Sequence, residues 1–165
     1  MKKDKLEKEF WLKHFGIPHN QLGNIAPEVE RLNFKDEEVN DDALLWITTR
    51  IKRIGQLDLD NTSITDEGIK HLASLESIKE LRLKGCNITK DCLGDLNKLG
   101  TLELLHLGNT PIGLDDVPLL ASLQHLSLLL VSSSEAENVI EEKVFELKFL
   151  LPECTVNVNY KTPIP

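Results

Sequence analysis

The chain has 165 residues, of which 41% are hydrophobic and 28% are charged, proportions that are typical of a globular protein. Its formal net charge is −8, which argues against the basic surface that binds nucleic acids or anionic membranes. Three cysteines are too few for a disulfide framework, and no apolar run reaches the length of a membrane-spanning helix. Charged residues interrupt positions 1–10, where a signal peptide needs an apolar segment, so we expect a cytoplasmic protein.

The first predicted element is a helix over residues 3–15. Apolar side chains recur there every three or four residues, as on one face of a helix, and Gly16 ends the pattern. The helix carries three aromatic residues, Phe10, Trp11 and Phe15. We expect these rings to cap the end of a core that begins further along the chain. The alternative is an exposed amphipathic helix that docks into a partner's groove.

A repeat begins at Ile54, where three consecutive blocks of 24 residues carry apolar residues in the same seven columns. Leucine fills 30 of the 165 positions, and most of these leucines fall in or near the columns. The first four columns, at positions 1, 4, 6 and 11 of each block, hold Ile54, Ile78 and Leu102; Leu57, Leu81 and Leu105; Leu59, Leu83 and Leu107; and Ile64, Ile88 and Ile112. The last three, at positions 16, 19 and 22, hold Ile69, Leu93 and Val117; Leu72, Leu96 and Leu120; and Leu75, Leu99 and Leu123.

These columns predict one strand and one helix in every block. Positions 4 and 6 alternate as in a strand with one buried face, and positions 16, 19 and 22 fall on one face of a short helix. A single block cannot bury both apolar faces, so the blocks must stack on one another. Degenerate blocks flank the three clear ones on both sides, and Val156 and Val158 predict a terminal strand.

The pattern LxxLxLxx(N/C/T)xI with a period in the twenties resembles the leucine-rich repeat family. The resemblance covers about residues 29–159. The motif Thr-x-Ile-Thr-Asp-x-Gly, which begins at Thr62, is similar to that of ribonuclease-inhibitor-like and bacterial members. It implies an α/β fold, a right-handed solenoid with a parallel sheet on the concave face and helices on the convex face. Position 9 of each repeat, usually Asn or Cys in the family, holds Thr62, Cys86, Thr110 and Ser134 here, which we expect to bond loop backbone.

This organisation divides the chain into three parts. The N-terminal capping arm is assigned to residues 1–28, and about five repeats with the terminal strand are assigned to residues 29–160. A tail follows at residues 161–165, where Pro163 and Pro165 are predicted to blunt the final sheet edge because proline cannot extend a hydrogen-bonded ladder.

Acidic residues recur immediately before the predicted helices. We expect them to cap the free amides at the helix starts and to favour the positive end of each helix dipole. They are Asp41, Asp42, Asp66, Glu67, Asp91, Asp115 and Asp116.

Positions 3, 5 and 7 of each repeat are predicted to point away from the core, onto the concave wall. One half of that wall is charged, with signs that alternate from strand to strand, and the other half is apolar. The candidate partner-binding residues on it are Asp58, Asp60, Glu80, Arg82, Lys84, Leu104, His106, Leu128 and Leu130.

Two interpretations are open for each half of the wall. The charged residues pair with their neighbours across strands, or they serve a partner. Leu104, Leu128 and Leu130 form an exposed apolar interface, or they are buried by the tail or by a register slip in the Leu-rich segment 126–131.

No catalytic or metal-binding motif accompanies these residues. The five histidines lack ligand spacing, and the three cysteines are expected to be buried structural thiols, although Cys92 near a helix start is a candidate for a lowered pKa. We find no phosphate loop, no nucleophile elbow and no paired catalytic carboxylates. We therefore expect no catalytic residues, cofactor or metal, and His106 is the only candidate centre for an enzymatic pocket.

The resemblance implies a non-enzymatic module that binds another protein through its concave face. The alternative is a structural or assembly subunit of a larger complex that docks through the aromatic arm. A homo-oligomer through the sheet edge or the leucine patch stays open. The acidic charge favours a partner with a basic patch.

Overall fold

Six short strands form one sheet in this computed structural model, which describes residues 2–161, with side chains from residue 4 onwards. The strands stand in the order in which they occur along the chain, and every neighbouring pair is parallel. They are β1 (Glu28–Asn33), β2 (Arg53–Asp58), β3 (Ser77–Arg82), β4 (Leu104–His106), β5 (Leu128–Val131) and β6 (Thr155–Val158). The chain is thus an α/β protein with a single all-parallel sheet.

Helical segments connect consecutive strands, as parallel pairing requires. The α-helices are α1 (Lys2–Phe15), α2 (Asp41–Arg50), α3 (Asp66–Leu72), α4 (Leu93–Leu96) and α5 (Glu137–Leu150), and the 3₁₀ helices are His19–Asn24, Lys90–Cys92 and Leu114–Leu120. The helix between β4 and β5, Leu114–Leu120, is a 3₁₀ helix and contains Pro118, which has no backbone N–H to donate to an α-helical ladder.

The register of the sheet follows the 24-residue period. Leu57 pairs with Leu81, Leu81 with Leu105, and Leu105 with Leu129. These four side chains are between 0 and 1% exposed and lie in one continuous hydrophobic core. The columns identified in the sequence therefore define the faces of the strands.

The register also excludes the slip considered for the Leu-rich segment 126–131. Leu104 pairs with Leu128, which keeps the 24-residue offset, and both side chains are half-buried on the face opposite the core. The offsets differ only at the two ends of the sheet, where Val29 pairs with Ile54 and Leu129 with Val156.

The helix starts differ from the prediction that acidic residues cap them. The N-cap residues of α3 and of the 3₁₀ helix Lys90–Cys92 are threonines, whose hydroxyls accept from the backbone amides two residues later. The acids lie in the first helical turn and bond the next repeat instead. Asp41 accepts from the backbone N and hydroxyl of Thr65, and Asp66 accepts from the same two groups of Thr89. Asp41 and Asp66 therefore link consecutive repeats rather than cap their own helices, whereas Asp116 accepts from the backbone N of Gly113 and caps the start of its own helix as predicted.

A second repeating feature lies just after each of the first four strands, where the backbone adopts a left-handed conformation. The φ angles are 61° at Asp36, 60° at Asn61, 70° at Gly85 and 54° at Asn109. Asp, Asn and Gly are the residues that tolerate this region best. This eighth column was not recognised in the sequence, although its composition was a usable signal.

The N-terminal arm packs against the first repeat through aromatic rings. Trp11 is fully buried and Phe10 is 8% exposed. The ring centroids of Phe10 and Trp46, which lies on α2, are 5.4 Å apart. Arg50 on α2 forms an ion pair with Glu7 at 2.7 Å. The helix predicted over residues 3–15 is observed, and these aromatic residues pack inward. The proline tail at residues 163–165 lies outside the described residues.

The ninth repeat position bonds loop backbone at three of the four predicted residues, Thr62, Cys86 and Thr110. The hydroxyls of Thr62 and Thr110 donate to the carbonyl oxygens of Leu59 and Leu107, each at 2.7 Å. The thiol of Cys86 donates to the Leu59 carbonyl at 3.1 Å, which reaches back into the preceding repeat.

Candidate functional site

The predicted site residues lie together on the sheet face opposite the hydrophobic core, which we call the open face. The register aligns them in two adjacent rows that cross the strands. One row is Gln56, Glu80, Leu104 and Leu128, and the other is Asp58, Arg82, His106 and Leu130. Asp60 and Lys84 follow the ends of β2 and β3 at the same edge.

Arg82 is at the centre of the charged part of the open face. Its Nε lies 3.4 Å from Asp58 Oδ2, and its Nη2 lies 3.4 Å from Asp60 Oδ2. Asp60 Oδ1 also accepts from the backbone N of Lys84 at 2.9 Å. The pairing across strands that the alternating charges predicted is therefore observed at Arg82.

Two of the predicted site residues are buried instead of lying open on the wall. Asp60 is 2% exposed and His106 is 1% exposed. His106 Nδ1 lies 3.7 Å from Asp60 Oδ2, which is too long for a hydrogen bond, and this nitrogen has no hydrogen-bond partner. Any partner at this face meets the side chains above these two residues rather than the residues themselves.

Tyr160 covers His106, and sequence reasoning missed it. Its hydroxyl shares a hydrogen bond of 2.9 Å with His106 Nε2, and the two rings meet edge to face with centroids 5.6 Å apart. Lys84 Nζ lies 5.1 Å from the centroid of the Tyr160 ring. The chain follows β6 with two consecutive left-handed residues, Asn159 at φ 55° and Tyr160 at φ 59°, which turn the ring back over the sheet.

The surroundings of His106 favour its neutral form. Burial is the main cause of its lowered pKa, and the positive charges of Arg82 and Lys84 lower the pKa further. The carboxylates of Asp60 and Asp58 act in the opposite direction without reversing the shift. In the neutral ring one nitrogen carries the proton, and the tautomer sets which of Nε2 and the Tyr160 hydroxyl donates their shared hydrogen bond.

Arg31 and Glu80 are two charged residues of the open face. Neither has an ion pair with any residue of the described part of the chain. Together with Gln56, Asp58 and Arg82 they line a cavity of about 150 Å³. A ligand here meets one free positive and one free negative charge beside the ion pairs of Arg82, whose buried Nε has no hydrogen-bond partner.

The apolar part of the open face consists of Leu104, Leu128 and Leu130, which are all half-buried. They stand side by side, since Leu104 pairs with Leu128 and Leu130 pairs with His106. The rows thus change from charged to apolar between β3 and β5, as the sequence indicated.

A second apolar surface escaped sequence reasoning. Phe145 and Phe149 on α5 are 62% and 77% exposed, and their ring centroids lie 5.6 Å apart. They face away from Ile140 and Leu147, the buried residues of the same helix. Their spacing of four residues was a signal, but the repeat pattern drew attention to the inward positions only.

The three cysteines are free and buried. Burial raises the pKa of Cys92 to about 12 and that of Cys154 to about 11, and it also raises the pKa of Cys86. The lowered pKa considered for Cys92 is therefore wrong, because desolvation of the thiolate outweighs its place near a helix start.

No protein-family model matches the chain, and no curated protein matches its sequence. Within residues 2–161 we find no cluster of three or more His, Cys, Asp or Glu residues arranged to hold a metal ion. None of the helices in this part of the chain has the length and apolar character needed to cross a membrane.

Proposed function

We propose that the chain is a member of the leucine-rich repeat family, a solenoid whose concave wall is the open face of the sheet. The 24-residue register, the inward columns and the ladder of bonded loops support this assignment. We further propose that the wall binds a partner protein without catalysis. Asp58, Asp60 and Arg82 on this wall are held in place by ion pairs before binding, which reduces the entropy lost on association.

The observation that carries this function is the apolar cluster of Leu104, Leu128 and Leu130 beside the fixed Arg82 network. Apolar residues surrounded by ordered polar groups form the usual centre and rim of a protein interface. The free charges of Arg31 and Glu80 provide orientation, since each favours an opposite charge on the partner. The three unpaired cysteines favour a reducing compartment, so we place this interaction in the cytosol.

The alternative, an assembly subunit that docks through the N-terminal arm, has less support. Its aromatic residues Phe10 and Trp11 are buried against the first repeat and are unavailable to a partner. Docking through the arm would have to use Leu6 and Leu12, which are 42% and 58% exposed. Deletion of residues 1–18 distinguishes the two: it lowers stability under our proposal and abolishes docking under the alternative.

The test is affinity purification from the native host, followed by titration of the purified partner. Leu104→Glu combined with Leu128→Glu is expected to weaken binding by at least about tenfold, because two central apolar contacts become buried charges. Phe145→Ser combined with Phe149→Ser is the matched control, because it removes two apolar side chains from another surface. Circular dichroism and thermal unfolding establish that both variants are folded. Full binding by the folded leucine variant would rule out the concave wall as the interface.

A further inference from the structure

We propose that the position above His106 is a recognition slot for the phenol ring of a partner's tyrosine, and that Tyr160 fills this slot in the free protein. The inference rests on the proposed function, since it names the chemistry that the open face recognises at one point.

The slot has one contact for each part of a phenol. His106 Nε2 bonds the hydroxyl at 2.9 Å, the His106 ring meets the phenol ring edge to face, and Lys84 Nζ stands 5.1 Å from the ring centroid. Cations and aromatic edges at these distances attract the ring. Because His106 is 1% exposed, a phenyl ring without the hydroxyl leaves its nitrogen buried without a partner.

Gly108 provides the room for the hydroxyl. A Cβ at this position would lie 3.0 Å from both His106 Nε2 and the Tyr160 hydroxyl. Gly85 lies just after β3 in the preceding repeat, and the two backbones are joined by the bond from Gly85 N to the Gly108 carbonyl. The floor of the slot is therefore part of the sheet rather than of the tail.

Tyr160 itself is held less firmly than the slot that it fills. Tyr160 is 52% exposed. Both Tyr160 and the preceding Asn159 adopt left-handed backbone conformations, which residues other than glycine disfavour. Asn159 is anchored to Ser133 by two hydrogen bonds, whereas the Tyr160 side chain has one hydrogen bond, to His106, and a cation–ring contact with Lys84. Displacement of the ring releases the second left-handed residue and leaves the sheet intact.

The experiment titrates the protein with p-cresol, a free phenol, and with toluene, the same ring without the hydroxyl. Binding is measured from the NMR shifts of the Gly108 and Lys84 backbone amides. In Tyr160→Gly the slot is empty, so p-cresol is expected to bind at least tenfold more tightly than to the natural protein. Toluene is expected to bind about fivefold more weakly than p-cresol, as the loss of one neutral hydrogen bond predicts. Tyr160→Phe fills the slot with a ring that lacks the hydroxyl, so p-cresol should bind this variant more tightly than the natural protein and more weakly than Tyr160→Gly.

A second measurement needs no variant. Tyr160 is the one tyrosine of the chain, so selective labelling gives a single tyrosine ring spectrum. Excess N-acetyltyrosinamide should shift that spectrum toward the position of an unstructured tyrosine, whereas N-acetylphenylalaninamide should have a smaller effect. Equal binding of p-cresol and toluene to Tyr160→Gly, or no p-cresol binding to it at all, overturns the slot. Either result with an intact partner interaction leaves the proposed function standing.

Discussion

Asp41 and Thr65 lie 24 residues apart and are joined by two hydrogen bonds, at 2.9 Å from the Thr65 amide and at 2.6 Å from its hydroxyl. Asp66 and Thr89 repeat the arrangement one block further along the chain. Each acid therefore fixes the residue that caps the next helix. This bond is a link between repeats in addition to the sheet and the core.

Asp41→Ala is expected to destabilise the protein by about 1–3 kcal/mol, because two donors of Thr65 lose a charged acceptor. Urea unfolding measures the change. A double-mutant cycle with Thr65→Val should show a coupling energy of about 1 kcal/mol or more.

Asp91 is the control for this prediction, because it occupies a first helical turn but the next repeat has Gly113 in place of the capping threonine. Asp91→Ala should cost only about 0.5 kcal/mol, the size of a helix-dipole effect at an exposed site. Equal losses at Asp41 and Asp91 would mean that the Asp41–Thr65 link contributes nothing beyond the dipole.

Trp11→Ala should lower the free energy of unfolding by about 3–5 kcal/mol, the usual cost of removing a large buried ring. Trp11 is fully buried against the end of the core, where it also contacts Phe15 at a ring distance of 4.7 Å. Thermal unfolding gives the change. Leu12→Ala, at a position 58% exposed on the same helix, is the control and should change stability by less than about 0.5 kcal/mol.

Gly85→Ala should destabilise by about 1–2 kcal/mol, since an L side chain disfavours the left-handed backbone conformation found there. The residue has φ +70°, and a Cβ would lie 2.5 Å from Asn61 Oδ1. Gly94 in α4 is the matched control, because a Cβ there meets no atom within 4 Å. Gly94→Ala should stabilise by about 0.5–1 kcal/mol, as alanine favours a helix. Chemical denaturation of both variants decides the prediction, which fails if they shift stability in the same direction.

Stability should also depend on the protonation of His106. Burial lowers the pKa of His106 in the folded protein, so between that pKa and the ordinary value near 6.5 the unfolded chain binds more protons. The contribution of neutral His106 is therefore complete above about pH 6.5 and is lost as the pH falls. Unfolding measured at about pH 7.5 and at about pH 5.5 should show a larger loss for the natural protein than for His106→Gln.

The titration of His14 also contributes to the pH dependence of stability and has to be eliminated by substitution. Its pKa is also lowered by burial, and to a lesser degree by the charge of Lys13, so it destabilises the folded protein in the same pH range. Both proteins are therefore compared in a His14→Gln background. Identical pH dependence in that background would show that His106 titrates alike in the folded and unfolded chains.

The sheet and its register were predictable because both follow from one period. Leu57, Leu81 and Leu105 mark the same position in three repeats, and parallel strands pair at that offset. The links between Asp41 and Thr65 follow the same offset and were visible as a polar column. Their role was misread because an acid near a helix start suggests a cap on its own helix.

For the candidate site, the sequence predicted which residues lie in the two rows of the open face, but not which of them are buried. Alternation along each strand placed Arg82 and Leu104 on the open face, and both lie there. The burial of His106 depends on Tyr160, which reaches it from 54 residues away through two left-handed residues at the end of β6. This turn could not be predicted from the residues that follow β6, because Tyr rarely adopts a left-handed backbone conformation.

The reactivity of the three free cysteines measures local opening of the folded chain. Cys86, Cys92 and Cys154 are shielded from solvent, and with thiol pKa values raised by burial they hold almost no thiolate near neutral pH. A thiol reagent can therefore modify them only when the surrounding backbone opens. Because Cys154 precedes the last strand while Cys86 and Cys92 lie in the middle of the sheet order, their relative labelling rates reveal whether the protein frays from its C-terminal end or opens as a whole.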